Sequence, residues 1–383
     1  MRILMVTNTY APARNGVAAV VRMLRRELEA RGHEVDVLTG RLGGRPRDER
    51  VHETPVVRGF APDFPLPVSL LGVPRSLRGK TFDVVHVHHP VLLGRLGKRI
   101  ADRCGARTVF TAHSVYTDYL DAYGAGLLRP MKPGVARSAA AFLSGFDLVL
   151  APSSHVRRTM REWGVDARIE MLEAAADVAP LPRGEARRLL GVGPRELVAL
   201  DVGRLAPEKR HDVVLREFSA ARLLVPDARL VIVGDGHERV RLERMARELG
   251  VAARVRILGG LDRERLTAWY SAADVLVAGS LSETGPLTVV EAMACGVPAV
   301  AYDAPGFEDR VATGDNGVLV EPRDGELAAA LAAALGDAEV REKLSAGARR
   351  RAGEYVPERV VATLLGYYDE LLSSAGESRC RSL

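Results

Sequence analysis

Short apolar runs alternate with amphipathic stretches along nearly the whole chain. RILMVT, at residues 2–7, has no polar position between Ile3 and Val6, the pattern of a strand buried on both faces. From Gly16 to Arg31 apolar residues recur every three or four positions, which predicts an amphipathic helix ended by Gly32. HEVDVLT predicts a second strand, and FDVVHVH, RTVFTAH and FDLVLAPS predict three more, each followed by a helix-like stretch. The Gly-, Pro- and Arg-rich region 42–80 interrupts this order and predicts a surface loop with one short helix. Prolines and glycines break the rhythm again at 177–195, read as a linker. Beyond it LVALDVG, RLVIVGDG, RVRILG, DVLVAGS and PAVAYDA predict a second set of strands with helices between them. Two Ala/Leu-rich helical stretches follow Val320, and PERVVATLLGYYDELLSS predicts a last helix. Strands alternating with helices argue for parallel α/β sheets. The expected domains are 1–176 and 196–356, with 177–195 between them.

The stretch LSETGPLTVVEAMACG, at 281–296, carries the strongest chemical signal. Pro286 suits a helix start and Gly296 a helix end, so Glu283 falls in a strand-to-helix loop and Glu291 about two turns into the helix. Open parallel sheets bind ligands at the carboxyl ends of their strands, with anions at helix N-termini. Two carboxylates so placed can hold two hydroxyl groups of a nucleotide sugar. The plain alternative is one acid favoured by the helix dipole and one solvated glutamate. The wording around the two acids, SET followed by LTVVEAMACGVPAV, resembles the signature of the retaining GT-B glycosyltransferases of the sucrose-synthase-like family. The resemblance implies an α/β GT-B fold, two Rossmann-like domains facing across a cleft, with the terminal helix at about 357–383 joining the first. The first would bind the acceptor and the second the nucleotide sugar, with Glu283 on the donor sugar and Glu291 on the ribose.

Other motifs gain meaning from that resemblance. Asn15-Gly16 leads from the first strand's loop straight into a helix, a plain N-cap or an anion-facing helix start. The resemblance puts Gly16 near the donor phosphate and Asn15 near the acceptor. Many members carry Gly-Gly here, and the single glycine followed by Val17 is similar to lipid-glycosylating members. His113, at the end of a strand in TAHSVYTDYLDAYG, is a core or capping histidine or one that donates to a sugar hydroxyl or stabilises developing charge. The resemblance implies contact with the donor sugar. Tyr116, Tyr119 and Tyr123 are either a helix face against the core or, by similarity to lipid-acceptor members, acceptor-binding. His86, His88 and His89 lack a carboxylate or thiol partner at ligand spacing, so no metal site is read there.

In GRLAPEK, Arg204 and Lys209 stand between a strand and a helix beside Gly203 and form a diphosphate clamp or a solvated charge pair. The motif is similar to the family's pyrophosphate-binding segment. The resemblance also implies that Arg256 and Leu258, in RILG, lie where the base is held through main chain. Family members have Phe-Gly or Gln-Gly before Leu287; here Gly285-Pro286 stands there, so Gly285, Leu287 and Thr288 carry the β-phosphate contact. VGDG at 233–236 is no dinucleotide fingerprint, because Arg239 replaces the last glycine, and a dehydrogenase is disfavoured. No D-x-D occurs, so metal-independent transfer is expected, with no cofactor beyond a UDP- or GDP-sugar donor.

Composition narrows the partners. Residues 1–180 carry 26 Lys and Arg against 18 Asp and Glu, and the remainder 28 against 31, so the net +5 hides a basic first half. Aromatics are only 5% and are not interleaved with the basic residues, which argues against nucleic acid. Arg129, Lys132 and Arg137 alternate with Leu, Met, Val and Phe, as in an interfacial segment or an ordinary surface helix. No apolar run approaches the roughly 18 residues of a membrane span. Cys104, Cys295 and Cys380 lack ligand spacing, and MRILMVTNTY lacks a signal peptide's layout, so a cytoplasmic setting is expected. The expected activity is retaining transfer of a hexose to a membrane lipid at the cytoplasmic face. A soluble acceptor (aminocyclitol, inositol phosphate or secondary metabolite) is the alternative, and a non-catalytic nucleotide-sugar binder the third reading.

Overall fold

The computed structural model describes residues 1–13, 15–41, 48–57, 66–67, 72–118 and 129–380. The chain divides into two compact units. One takes Met1–Thr117, the chain up to Glu173 and the returning segment from Pro357; the other takes Ala174–Val356 together with Asp118.

The first unit is built on β1 (Arg2–Thr7), β2 (Glu34–Gly40) and β3 (Val51–Thr54), then β6 (Val84–Val87), β7 (Arg107–Thr111), β8 (Leu148–Ala151) and β9 (Arg168–Met171). They form one sheet in the order β3-β2-β1-β6-β7-β8-β9, and every neighbouring pair is parallel. The two-residue strands β4 (Val56–Val57) and β5 (Leu66–Pro67) pair antiparallel, apart from it. Residues 3–6 of β1 are wholly buried, as a strand covered on both faces requires. Helices α1 (Gly16–Ala30), α2 (Val91–Cys104), α3 (Lys132–Leu143) and α4 (Ser154–Glu162) follow β1, β6, β7 and β8 in turn. Helix α1 turns Ala18, Val21, Leu24 and Leu28 inward, three or four residues apart. Helix α2 lies close to β1 and β6 because Gly97 faces them; a Cβ there would meet Val6 at 3.0 Å and Val87 at 3.1 Å. The terminal helix Pro357–Cys380 returns to this unit, burying Val361, Leu364 and Tyr368, with the Tyr368 hydroxyl 2.7 Å from Nδ1 of His86.

The second unit opens with α5 (Arg183–Leu190) and contains β10 (Leu197–Val202), α6 (His211–Ala221), β11 (Ala228–Val233), α7 (Arg239–Glu248) and β12 (Val255–Ile257). It continues through α8 (Arg263–Ala272), β13 (Val275–Ala278), α9 (Leu287–Ala294), β14 (Ala299–Tyr302) and β15 (Gly317–Val320), and ends in α10 (Glu326–Gly336) and α11 (Ala338–Ala352). Its sheet runs β12-β11-β10-β13-β14-β15, again all parallel. Both units are thus Rossmann-like, with the strand order reversing beside their first strand.

Two expectations are corrected. Region 42–80 holds a sheet strand, β3, and among its described residues only one turn of 3₁₀ helix, at Arg75–Leu77. Strands β3, β9 and β15 escape prediction for one reason: each closes a sheet edge, is four residues long and is only partly buried, so its apolar signal is thin. The segment 177–195 is more than a linker. Its helix α5 is docked on the second unit by Asp274, buried in the loop before β13, which accepts from Arg183 at 2.5 Å, Arg187 at 3.4 Å and the Val198 N–H at 2.8 Å.

Candidate active site

In the second unit the strand order reverses between β10 and β13, and the loops leaving these two strands diverge there. The loop after β10 lies directly on the turn after β11. Gly203 N–H donates to the Val233 carbonyl at 3.0 Å and Leu205 N–H to that of Asp235 at 2.9 Å. A Cβ on Gly234 would stand 1.7 Å from the Gly203 oxygen, and one on Gly236 2.1 Å from that of Leu205. The VGDG turn is therefore a floor: its glycines are needed so that two backbones can touch. Gly203, expected at the donor, spends its N–H on this floor, so its contribution is room rather than a hydrogen bond.

The loop then makes a 3₁₀ turn at Pro207–Lys209, and Arg210 takes a left-handed conformation, φ 52°, before α6. Such a conformation costs a residue with a Cβ about 1–2 kcal/mol. The Arg210 guanidinium lies over the Tyr302 ring, 5.7 Å from its centre. The turn sends neighbouring side chains to different partners. Lys209 Nζ donates to Glu283 Oε1 at 2.6 Å, and Arg204 Nη2 to Glu208 Oε1 at 2.7 Å. His211 turns inward, with Nδ1 2.6 Å from Asp201 Oδ2 and Nε2 3.0 Å from the Arg204 carbonyl oxygen.

Glu283 sits in the loop after β13, held by its main chain. Its N–H donates to the Pro305 carbonyl at 2.8 Å, and Gly306, φ 92°, packs so tightly that a Cβ would stand 1.9 Å from the Glu283 oxygen. Pro286 occupies the cap position just before α9 and accepts the Val289 N–H at 3.1 Å. The N–H groups of Leu287 and Thr288 begin the helix without intrahelical acceptors, and Gly285 is half-buried beside them.

Glu291 is in a different setting. It lies on the buried face of α9, accepting from the Tyr270 hydroxyl at 2.9 Å and from Arg263 at 3.4 Å. Burial pushes its pKa up, with Arg263 and Tyr270 opposing. Arg263 and Tyr270 had no motif to reveal them. Arg256 carries its guanidinium over the Trp269 ring at 5.5 Å, and the Leu258 N–H is spent on Ile232 at 2.9 Å, so what RILG leaves for a ligand is carbonyl edges and backbone shape.

In the first unit Asn15 caps α1, accepting the Ala18 N–H at 2.9 Å and the Thr9 hydroxyl at 3.3 Å. A Cβ added to the exposed Gly16 would meet nothing within 4 Å, so there is space at this helix start. His113 Nε2 is 2.9 Å from Nδ1 of His88, whose ring stacks on His86 at 4.2 Å. Burial lowers the His113 pKa to about 3. The ring is neutral near pH 7, a state in which it can still hydrogen-bond a hydroxyl. Tyr116 stacks on Trp163, 6.4 Å between ring centres, while Tyr119 and Tyr123 lie outside the described residues.

Comparison with known proteins decides the family. Residues 183–351 match the model described as glycosyl transferases group 1, and residues 14–179 match glycosyltransferase family 4. A GDP-mannose-dependent alpha-mannosyltransferase of Mycolicibacterium smegmatis is 34% identical over 388 residues, covering 97% of this chain and 98% of that protein. The chain belongs to the group 1 glycosyltransferases. The glycosyltransferase is also 36% identical over 303 residues to a D-inositol 3-phosphate glycosyltransferase of Geodermatophilus obscurus, spanning 75% of this chain and 66% of that protein's length. A sucrose-phosphate synthase from Thermosynechococcus elongatus has a TM-score of 0.80, covering 97% of this chain and 99% of that one at 23% identity. That likeness shows the fold, which is GT-B.

The loop holding Glu283 generates a test. Gly306→Ala forces a Cβ against the Glu283 carbonyl and strains a left-handed residue, so we expect about 1–3 kcal/mol of lost stability and a transfer rate at least about tenfold lower, because small displacements at reacting groups are expensive. Denaturant unfolding and single-turnover transfer would measure both. Unaltered transfer in a destabilised variant would show that the site does not depend on this contact.

Proposed function

We propose that this glycosyltransferase moves a hexose from a UDP- or GDP-linked donor to an acceptor hydroxyl, with retention of anomeric configuration and without a metal ion or cofactor. The carrying observation is the Lys209–Glu283 pair at the strand-order reversal, with Arg204 on the same loop as Lys209. Lys209, paired with the loop that leads into α9, and Arg204 on the same loop as Lys209 suit a diphosphate, Arg204 as a fork and Lys209 as a point charge. A bound diphosphate gives Lys209 a second anion and leaves Glu283 oxygens for sugar hydroxyls. From there the nucleotide extends along the sheet edge. Strand β12, with Arg256 in it and Leu258 just after it, is two strands from β10, about 10 Å. Glu291 takes the ribose, sharing its oxygens with Tyr270 and Arg263. The bond from the anomeric carbon to the β-phosphate oxygen breaks as the acceptor oxygen bonds to that carbon, and the acceptor's proton leaves on the departing diphosphate. Arg204, Lys209 and the N–H groups of Gly285, Leu287 and Thr288 stabilise the charge released. In the first unit, His113 and Gly16 serve the donor, and Asn15 with Tyr116, Tyr119 and Tyr123 the acceptor.

For the acceptor we assign a membrane lipid, met by a cytoplasmic, peripheral enzyme. The basic first half supports this, as do exposed Arg129 and Arg137 flanking Met131, an apolar residue 55% exposed at the start of α3. A soluble polyol phosphate is the second reading, favoured by the D-inositol 3-phosphate glycosyltransferase relative.

Three outcomes are expected. Arg204→Ala or Lys209→Ala lowers turnover at least about a hundredfold, since losing such a stabiliser costs about 3 kcal/mol; near-normal turnover in either would remove the clamp from the mechanism. Excess EDTA leaves transfer running, and a loss restored by magnesium or manganese contradicts metal independence. The protein co-sediments with anionic liposomes, less with neutral ones, and neutralising Arg129, Lys132 and Arg137 together or raising salt releases it. If it stays in the supernatant with both liposome types, the lipid reading fails and inositol phosphate is the acceptor to assay.

A further inference from the structure

His211 plays no part in the reading above, yet it is only 3% exposed beneath the loop that carries Arg204 and Lys209. Its two ring nitrogens meet two oxygens, Asp201 Oδ2 and the Arg204 carbonyl. A carbonyl can only accept. A neutral imidazole has one N–H, so it can satisfy both contacts only if the proton between His211 and Asp201 sits on the carboxyl. A free carboxyl is the stronger acid by more than about 2 pK units, so the proton belongs on the imidazole and the ring donates to both.

We infer that His211 is a positioning residue for the diphosphate clamp: as an imidazolium tied to Asp201 below and to the Arg204 carbonyl above, it fixes the loop that presents Arg204 and Lys209. The inference rests on the proposed role of that loop in binding the donor diphosphate. The seat is built for the ring. Gly203 lies against it, and a Cβ there would already stand 3.4 Å from Cε1. Facing the ring are Asp201 from β10, the Arg204 carbonyl from the loop and the Lys209 ammonium from the 3₁₀ turn. On its own helix the next acid, Asp212, is engaged by Arg241 at 3.5 Å and Arg216 at 3.9 Å.

Burial lowers the His211 pKa, but Asp201 and the Arg204 carbonyl raise it more, and the balance lies above the ordinary value. A group with a raised folded pKa stabilises fully below its unfolded value, about 6.5, and loses that contribution as pH rises through the folded value. Deprotonation leaves one of the two oxygens facing a lone pair, and the loop loosens. Donor affinity should therefore fall on the alkaline side, in a range where the diphosphate itself is already ionised.

The test is binding of UDP and GDP by calorimetry from pH 7 to 9, for the full-length protein and for His211→Gln and Asp201→Asn. Wild-type affinity should fall with a one-proton inflection above the ordinary imidazole value. Asp201→Asn should move that inflection to lower pH. His211→Gln should abolish it and bind about tenfold more weakly at pH 7, the loss expected for one hydrogen bond made by a charged group. Binding that is tight but flat with pH in the wild type overturns this inference and leaves the clamp standing. Failure of both nucleotides to bind at any pH overturns the clamp reading and this inference together. If His211→Gln does not fold, the wild-type profile and Asp201→Asn still decide.

Discussion

The reversal of strand order at β10 is the constraint on which the rest of the second unit depends. Because β10 is flanked by β11 on one side and β13 on the other, the loops that leave β10 and β13 diverge. Their charged side chains then converge from opposite walls. Both walls rest on backbone contacts, and His211 with Asp201 adds a tie beneath the first. Gly203 and Leu205 rest on Gly234 and Gly236, Glu283 rests on Gly306, and Gly279 packs under Arg210, whose oxygen would be 2.9 Å from a Cβ there. Backbone contact of this kind is stiff, since no side chain can yield. It lets an ion pair such as Lys209–Glu283 keep its geometry at a half-buried position, where mobile side chains would gain little from pairing.

The two acids of the 281–296 stretch show how environment divides roles between like residues. Glu283 meets the Lys209 ammonium from a half-buried position and can exchange that partner for another. Glu291 is enclosed by a phenol and a more distant guanidinium, and burial works against its charge. A ligand hydroxyl that donates to Glu291 would help to offset that burial. The physical cost of the site thus falls on Glu291, and the flexibility falls on Glu283.

The histidines of the first unit form the opposite case to His211. His86, His88 and His113 stack or hydrogen-bond with one another, and burial lowers all three pKa values. His211, also buried, has Asp201 at 2.6 Å, and that carboxylate helps to raise its pKa. One counter-ion decides between a neutral hydrogen-bonding group and a buried cation.

The α/β class and most strands are legible in the sequence, as are two cations on the GRLAPEK loop and two acids in the stretch from SET to EAMACG. These follow from periodicity and from residues whose chemistry is local: a Pro-Gly bounded helix, a Gly-rich turn, two cations on one loop. Where long-range partners meet depends on packing that no local pattern encodes. Asp201 and His211 are ten residues apart but belong to strand and helix faces that no periodicity joins. Gly306 shows its purpose only when Glu283 is packed against it, and Tyr270 and Arg263 only when α8 is laid beside α9. Edge strands such as VHET and RIEM escaped because half-burial leaves too few apolar positions to read. The segment 177–195 looked like a linker because its arginines carry no pattern until Asp274 is folded beneath them.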